Sequence, residues 1–280
     1  MSLGLPISVL DVFAERPMAG NQLAVVHQAA ALSDAQMQAI ALEMNFSETT
    51  FVTQQNDGRA TVRIFTPVHE LPFAGHPTIG TAWELTGGEG EIVLDLALGP
   101  VTVQFADGIG WMQPPQVTFG GTLATEEAAA LIGLTVDALA SDLPAAFAEV
   151  GPQFVLIPVR DLAGLKAVRV DPVVRRRLLA AGRNVQSVFV FTADSYTADA
   201  DFAARMIFDA GGLREDPATG SANAAFAAYL RKYRGEIGDV VVEQGLEIGR
   251  PSRLYLQVRS DLKVGGKVQR VLHGELLVDS

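Results

Sequence analysis

The sequence predicts an α+β protein of two pseudo-symmetric domains, each a curved, mostly antiparallel β-sheet or barrel around a central helix. The first observation is an internal repeat: residues 75–85 (GHPTIGTAWEL) and 220–230 (GSANAAFAAYL) agree in Gly at the start, Ala within and Leu at the end. The second is that a capped helix followed by strands precedes both copies. The third is the Ala-rich run of residues 222–228, which is typical of a helix buried on nearly all sides.

The elements of the first half follow from local patterns. Residues 5–13 and 23–26 have the composition of strands and are separated by a turn. Ser33 with Gln36 forms a capping box that begins a helix, and the apolar residues of 37–44 then fall on one helical face.

Turn signals divide the strands that follow. Asp57-Gly58 predicts a hairpin between strands at residues 49–54 and 60–65. A helix follows Gly75, and residues 91–105 read as two strands broken at Gly99-Pro100.

The second half repeats this order. Asp171-Pro172 caps a helix that runs to Gly182, and further strands are predicted at residues 154–159, 185–191, 202–208, 240–243, 253–258 and 268–277. We expect a first domain at residues 1–120, which residues 273–280 can complete, and a second domain at residues 121–272. The Gly- and Pro-containing residues 106–121 are the expected crossing between them.

Composition excludes several classes of function. The net charge of −11 over 280 residues argues against nucleic acid and anionic membrane surfaces as partners. Apolar stretches are too short for a membrane span, and no signal peptide is recognisable, so we expect a cytoplasmic protein. Because the chain has no Cys, thiol nucleophiles and zinc–thiolate sites are excluded. His27, His69 and His273 show no metal-ligand spacing, so we expect no metal.

Two helix starts are candidate anion sites. Gly75-His76 and Gly220-Ser221 each open a repeat helix, where unpaired N–H groups carry partial positive charge. If pseudo-symmetry brings them together, they suit a carboxylate or a developing enolate. The alternative is that both glycines only allow a tight start of the helix.

Three side chains are candidates for acid–base chemistry. Glu48 lies in an apolar run, so desolvation should raise its pKa toward neutrality, unless it faces outward from its strand. Its counterpart in the repeat is Ser187, so one acid is expected in a cleft between matched halves. His76 is either a proton donor or a structural histidine. Asp216, beside the second helix start, is either a turn residue or a substrate-positioning group.

A set of motifs identifies a family resemblance. The motifs are Gly20-Asn21, residues 45–49 (NFSET), 73–78 (FAGHPT), 215–221 (EDPATGS), 244–245 (QG) and 249–252 (GRPS). In this order and over essentially the whole chain, they resemble the phenazine-biosynthesis isomerase (PhzF-like) family, which shares the fold of diaminopimelate epimerase.

The resemblance implies a site and a class of reaction. Glu48 would carry a proton between carbons of a small carboxylate-bearing substrate. His76 and Asp216 would orient the substrate and assist proton movement, while Asn21, Gly75, Gly220 and Ser221 would contact it. The family is commonly dimeric and works without cofactor or metal. Diaminopimelate epimerase uses two Cys near the positions of His76 and Ser221, and this chain has none.

The resemblance therefore implies a cofactor-independent isomerase that forms a homodimer. Two alternatives stay open. One is a racemase or epimerase that uses Glu48 and Asp216 as opposed groups, and the other is a non-catalytic regulatory protein that binds a small ligand.

Overall fold

The structure is a computed structural model, and it describes residues 2–209 and 211–279. Within these residues it contains 18 strands, six α-helices and three short 3₁₀ turns. The protein is therefore of the predicted α+β class. No helix in the described part of the chain combines the length and apolar character that a membrane span requires.

The described residues 2–112 form eight strands and two helices. The strands are β1 (Ser2–Val12), β2 (Asn21–Val26), β3 (Glu48–Asn56), β4 (Arg59–Phe65), β5 (Glu70–Leu71), β6 (Glu91–Leu96), β7 (Gly99–Ala106) and β8 (Ile109–Met112). The helices are α1 (Asp34–Met44) and α2 (Gly75–Thr86), with a 3₁₀ turn at Ala29–Ala31.

The remaining chain forms ten strands and four helices within the described residues. The strands are β9 (Thr118–Thr122), β10 (Ala146–Glu149), β11 (Gln153–Pro158), β12 (Ser187–Thr192), β13 (Phe202–Asp209), β14 (Leu213–Asp216), β15 (Gly238–Gln244), β16 (Ser252–Val258), β17 (Lys263–Gly266) and β18 (Val268–Asp279). The helices are α3 (Thr125–Leu131), α4 (Leu162–Ala167), α5 (Pro172–Ala180) and α6 (Gly220–Arg234), with 3₁₀ turns at Val136–Ala138 and Leu246–Ile248.

The chain divides into two compact units. The first comprises Met1–Gln113 with Gly265–Ser280, and the second comprises Pro114–Val264. The unit boundary at 113–114 falls within the expected crossing at residues 106–121, but that stretch contains β8 and the start of β9 rather than an extended linker. The boundaries of a duplication at residues 120 and 272 stay a prediction.

The two units share one strand topology. In the first, β2 and β3 are parallel, β3–β4 and β4–β5 are antiparallel, β4 and β6 are parallel, and β6–β7 are antiparallel. In the second, β11–β12, β12–β13, β13–β14, β13–β15 and β15–β16 have the same five orientations in the same order. The strands β2–β7 of the first unit therefore have structural counterparts in β11–β16 of the second.

A buried helix lies in each unit. Residues 75–82 of α2 are all buried, as are Gly220 and residues 222–230 of α6. Around α6 the rings of Phe191 and Phe226 lie 4.5 Å apart, with Phe189, Phe202 and Tyr229 beside them. The predicted burial of the Ala-rich helix on nearly all sides is confirmed, because small side chains let the surrounding strands approach closely.

The last strand returns to the first unit. β18 pairs antiparallel with β1 along its length, from Ser2 opposite Asp279 to Val12 opposite Val268. Leu276 and Val278 pack against the apolar cluster that includes Leu5, Ile7 and Phe51. The first unit is thus built from both ends of the chain.

The sequence-based predictions omit α3, α4, β9 and β10 and place one strand break wrongly. Gly99 and Pro100 do not break a strand; they are the first residues of β7, where they pair with Leu96 and Asp95. Proline near the start of a strand removes few ladder hydrogen bonds, so it is tolerated there. The turn is instead formed by residues 97–98.

Candidate active site

Glu48 is the first residue of β3. It lies opposite Leu23 in the parallel pairing with β2, and the next four residues of the strand, 49–52, are buried. Its side chain is 16 % exposed. The apolar strand therefore places a carboxylate in a largely dry environment at the end of the sheet, as a general acid/base requires.

His76 lies directly beside this carboxylate. It is the second residue of α2 and is 4 % exposed. Its Nδ1 is 3.5 Å from Glu48 Oε2 and 3.4 Å from Asn21 Nδ2. Desolvation by burial lowers the pKa of His76 to about 3, although a hydrogen bond to the backbone of Gln22 opposes the change. The imidazole is therefore neutral near pH 7, and its contact with Glu48 is not an ion pair.

A neutral imidazole suits a partner that changes its protonation state. Each ring nitrogen either donates or accepts a hydrogen bond, depending on the tautomer. Nδ1 offers a single site: unprotonated, it accepts from Asn21 Nδ2 or from a protonated Glu48, and as Nδ1–H it can donate to an ionised Glu48 in place of the Asn21 contact. His76 therefore supports both forms of the carboxyl group without itself becoming charged.

Gly20 determines where Asn21 lies. Gly20 has φ +66°, and a Cβ there would lie 2.3 Å from the carbonyl oxygen of Val12 and 2.8 Å from Ala14 Cβ. No other residue fits this position without backbone movement. The Gly20-Asn21 pair thus turns the chain into β2 and buries Asn21 against the His76 ring.

The starts of α2 and α6 differ from those of the other long helices. Ser33 and Asp171 cap α1 and α5 with side-chain hydrogen bonds, whereas neither Ala74 before α2 nor Thr219 before α6 makes one. Gly75 and Gly220 lie outside the left-handed region of backbone space, so backbone strain does not explain them. Both starts lack a side-chain cap, which is compatible with the predicted anion site, and that site stays a prediction.

Asp216 is the last residue of β14. It pairs with Met206 of β13 and is 6 % exposed. The hydroxyl of Thr219 donates a 2.5 Å hydrogen bond to Asp216 Oδ2. Gly220, which is buried, and Ser221, which is partly exposed, follow at the start of α6.

The structure places the predicted residues in two groups. Asn21, Glu48, Gly75 and His76 belong to the first unit, where the side chains of Asn21, Glu48 and His76 meet at Nδ1 of His76. Asp216, Gly220 and Ser221 belong to the second unit. Within the described residues, no three His, Cys, Asp or Glu side chains cluster so as to hold a metal ion.

The sequence analysis missed the polar side chains around Asp216. Thr219, Asn223 and Gln244 are all buried there and bonded to one another. One signal was available: Gln244 is an uncharged polar residue at the end of the apolar run 240–242 and belongs to a motif of the resembled family.

Comparison with known proteins gives the class of this enzyme. The profile of a family described as "Phenazine biosynthesis-like protein" matches residues 10–275. The chain is 38% identical over 260 residues to trans-2,3-dihydro-3-hydroxyanthranilate isomerase of Pseudomonas aeruginosa, covering 88% of both chains. It is 35% identical to an uncharacterized isomerase of Mesorhizobium japonicum, covering 96% of this chain and 97% of the relative.

A solved structure agrees with these sequence matches. The crystal structure of a PhzF-family phenazine biosynthesis protein from Bacillus anthracis superimposes with a TM-score of 0.88 and 25% identity, over 99% of this chain and all of that one. The protein is thus an enzyme of the isomerase class. It belongs to the phenazine biosynthesis-like (PhzF) family.

Proposed function

We propose that this isomerase moves a proton between two carbons of a small, carboxylate-bearing substrate, with Glu48 as the acid/base and without a cofactor. The observation that carries the proposal is the contact between the largely buried carboxylate of Glu48 and a neutral His76, 3.5 Å away, at the start of α2. Kinship with an isomerase of trans-2,3-dihydro-3-hydroxyanthranilate supports the type of substrate.

The proposed reaction needs no oxidant and no leaving group. The Glu48 carboxylate removes a proton from one carbon, and the electron pair of the broken C–H bond spreads over the substrate as a delocalised anion. The resulting carboxylic acid gives a proton to another carbon of that anion, which restores the carboxylate. His76 Nδ1 holds the carboxyl group in place in both states.

The remaining residues have supporting roles in this proposal. Asn21 orients His76, and the N–H groups that follow Ala74 bind an anionic group of the substrate. Asp216, together with Ser221, positions the substrate. Partial positive charge at a helix start stabilises negative charge that develops in the transition state.

The decisive experiment replaces Glu48. Wild type, Glu48→Gln and the counterpart variant Ser187→Ala are incubated in D₂O with trans-2,3-dihydro-3-hydroxyanthranilate and related carboxylates, and deuterium in the product is measured by mass spectrometry. Glu48→Gln keeps the size of the side chain but loses the transferable proton, so we expect exchange to slow by about 10²–10⁴-fold while binding persists. Ser187→Ala should behave as wild type.

Three other results of this experiment would support a different base or a different function. Full exchange by Glu48→Gln makes Asp216 or His76 the leading base and overturns the assignment. Inversion of a stereocentre without migration of a double bond, detected by chiral chromatography, supports the racemase alternative with Glu48 and Asp216. Tight binding of a carboxylate with no exchange by wild type supports a regulatory protein.

A further inference from the structure

We propose that Gln244, acting through Thr219, is a positioning residue that holds the Asp216 carboxylate in one orientation. The inference rests on the proposed function insofar as Asp216 acts on the substrate. Its structural part, the orientation of Asp216, does not depend on turnover.

All the hydrogen-bonding capacity of the Gln244 side-chain amide is taken up by the turn that carries Asp216 and by the start of α6. Gln244 is 0 % exposed and ends β15. Its Nε2 donates to the backbone oxygen of Asp216 at 2.9 Å and to Thr219 Oγ1 at 3.1 Å. Its Oε1 accepts from Asn223 Nδ2 at 3.0 Å and from the backbone N–H of Thr219 at 3.3 Å. One residue thus ties the end of β14 to the start of α6.

This arrangement fixes the direction of the hydrogen bond to Asp216. A hydroxyl has one proton to donate. Since Thr219 Oγ1 accepts from Gln244, its own proton is directed to Asp216 Oδ2, 2.5 Å away. Gln244, Thr219 and Asp216 therefore form an ordered chain of donors that ends on the carboxylate, in which each bond strengthens the next.

The backbone after Gln244 lies in close contact with the same turn. Gly245 has φ +78°, and a Cβ there would lie 2.5 Å from the carbonyl oxygen of Pro217 and 2.4 Å from that of Arg250. Glycine is thus required for the β15 end to lie against residues 216–219. Gln244 therefore holds the turn through its side-chain amide, and Gly245 lets the backbone lie against it because glycine has no side chain.

The first unit shows that the half-fold does not need this network. Asp216, Thr219 and Gln244 are the last residue of β14, the residue before α6 and the last residue of β15. The counterparts in the first unit, at the ends of β5 and β6 and before α2, are Leu71, Ala74 and Leu96. All three polar residues are replaced together by apolar ones in the same topology. Burying polar groups costs free energy unless every one of them is hydrogen-bonded, whereas apolar packing carries no such requirement. The presence of this network beside Asp216 therefore indicates a role in the site.

The kinetic test uses Gln244→Leu, which installs the residue of the first unit, and the pair Thr219→Val and Thr219→Ser. Misplacing a reacting group by about 1 Å can cost about 10²-fold in rate, so we expect Gln244→Leu and Thr219→Val to lower kcat by about 10–10²-fold with KM little changed. Thr219→Ser keeps the O–H donor and should restore kcat. Thr192→Val, which removes a buried hydroxyl elsewhere in the second unit, is the matched control and should keep wild-type kcat.

A double variant separates positioning from general damage. In the Asp216→Asn background, Gln244→Leu should reduce kcat no further, because its effect passes through Asp216. An additive loss, or a failure of Thr219→Ser to rescue, overturns the proposal.

Crystal structures of the Gln244→Leu and Thr219→Val proteins decide the matter independently of turnover, even if no substrate is converted and the proposed function fails. The Asp216 carboxylate should rotate away from its wild-type orientation while β14 stays in place. An unmoved carboxylate overturns the inference.

Discussion

At the scale of single residues, burial determines the chemistry of His76. Its imidazole is neutral at physiological pH because desolvation lowers its pKa to about 3. The ring can therefore exchange hydrogen bonds with Glu48 but cannot serve as a cationic electrophile. A neutral histidine beside the proposed acid/base leaves the Glu48 carboxyl group able to change its protonation state, since a nearby positive charge would hold it ionised.

The lowered pKa of His76 predicts a pH dependence of stability. Between about pH 6.5 and pH 3 the unfolded chain binds a proton at this residue and the folded protein does not. The free energy of unfolding should therefore fall as pH decreases through this window. When the free energy of unfolding, measured by urea unfolding, is plotted against pH between pH 7 and pH 4.5, His76→Gln should give a shallower slope than wild type. The exposed-residue variant His69→Gln should keep the wild-type slope. Equal slopes for wild type and His76→Gln would contradict this prediction.

At the scale of elements, a second polar cluster anchors the far end of α2. Glu84 in the last turns of this helix accepts hydrogen bonds from Ser8 Oγ on β1 at 2.7 Å and from Arg270 on β18 at 3.0 Å, and His27 Nε2 lies 3.4 Å away. Burial opposes the charge of this carboxyl group, but His27, Ser8 and Arg270 together hold its pKa below the usual value. The C-terminal end of α2, the helix that begins at the candidate site, is thus hydrogen-bonded to strands β1 and β18.

Removing this charge should destabilise the protein in a pH-dependent way. Glu84→Gln loses charge-assisted hydrogen bonds in a buried setting, so we expect a loss of about 1–3 kcal/mol in the free energy of unfolding at pH 7. Because the folded pKa is lowered, the contribution of Glu84 is present above about pH 4.5 and is lost as pH falls through that lowered value. In urea unfolding, the difference in the free energy of unfolding between wild type and Glu84→Gln should be smaller at pH 3.5 than at pH 7. The exposed Glu43→Gln on α1 should stay within about 0.5 kcal/mol of wild type at both pH values.

At the scale of the whole molecule, the two units use one topology with different polar residues. Glu48 begins β3 and Ser187 begins its counterpart β12, whereas Leu71 and Asp216 both end the short strand of the repeated pattern. Each unit therefore carries an acid where the other has none. Neither acid is needed to build the fold, so substitutions at these positions can test function with little effect on folding.

The return of β18 to β1 predicts that the first unit depends on the C-terminus. A chain that ends at Val264 lacks the strand that pairs with β1 from Ser2 to Val12, and it exposes apolar residues of the first core. We expect this truncated protein to lose the near-ultraviolet circular dichroism of the first unit and its cooperative unfolding. Leu277→Ser, a change at a 68 % exposed position of the same strand, should leave both intact. A wild-type melting transition in the truncated protein would show that β18 is dispensable.

The sequence alone predicted most of the longer strands and helices and named the candidate residues, because the signals for these are local. The capping box at Ser33, the hairpin at Asp57-Gly58 and the helix cap at Asp171 all involve residues within four positions of one another, and the structure confirms each of them. The matched order of strands and helices followed from the same local patterns. Tertiary structure alone decided which side chains meet. The contacts of His76 with Asn21 and of Asp216 with Gln244 join residues 55 and 28 positions apart, respectively. Such contacts depend on strand register and on which helix face is buried, which no local pattern specifies.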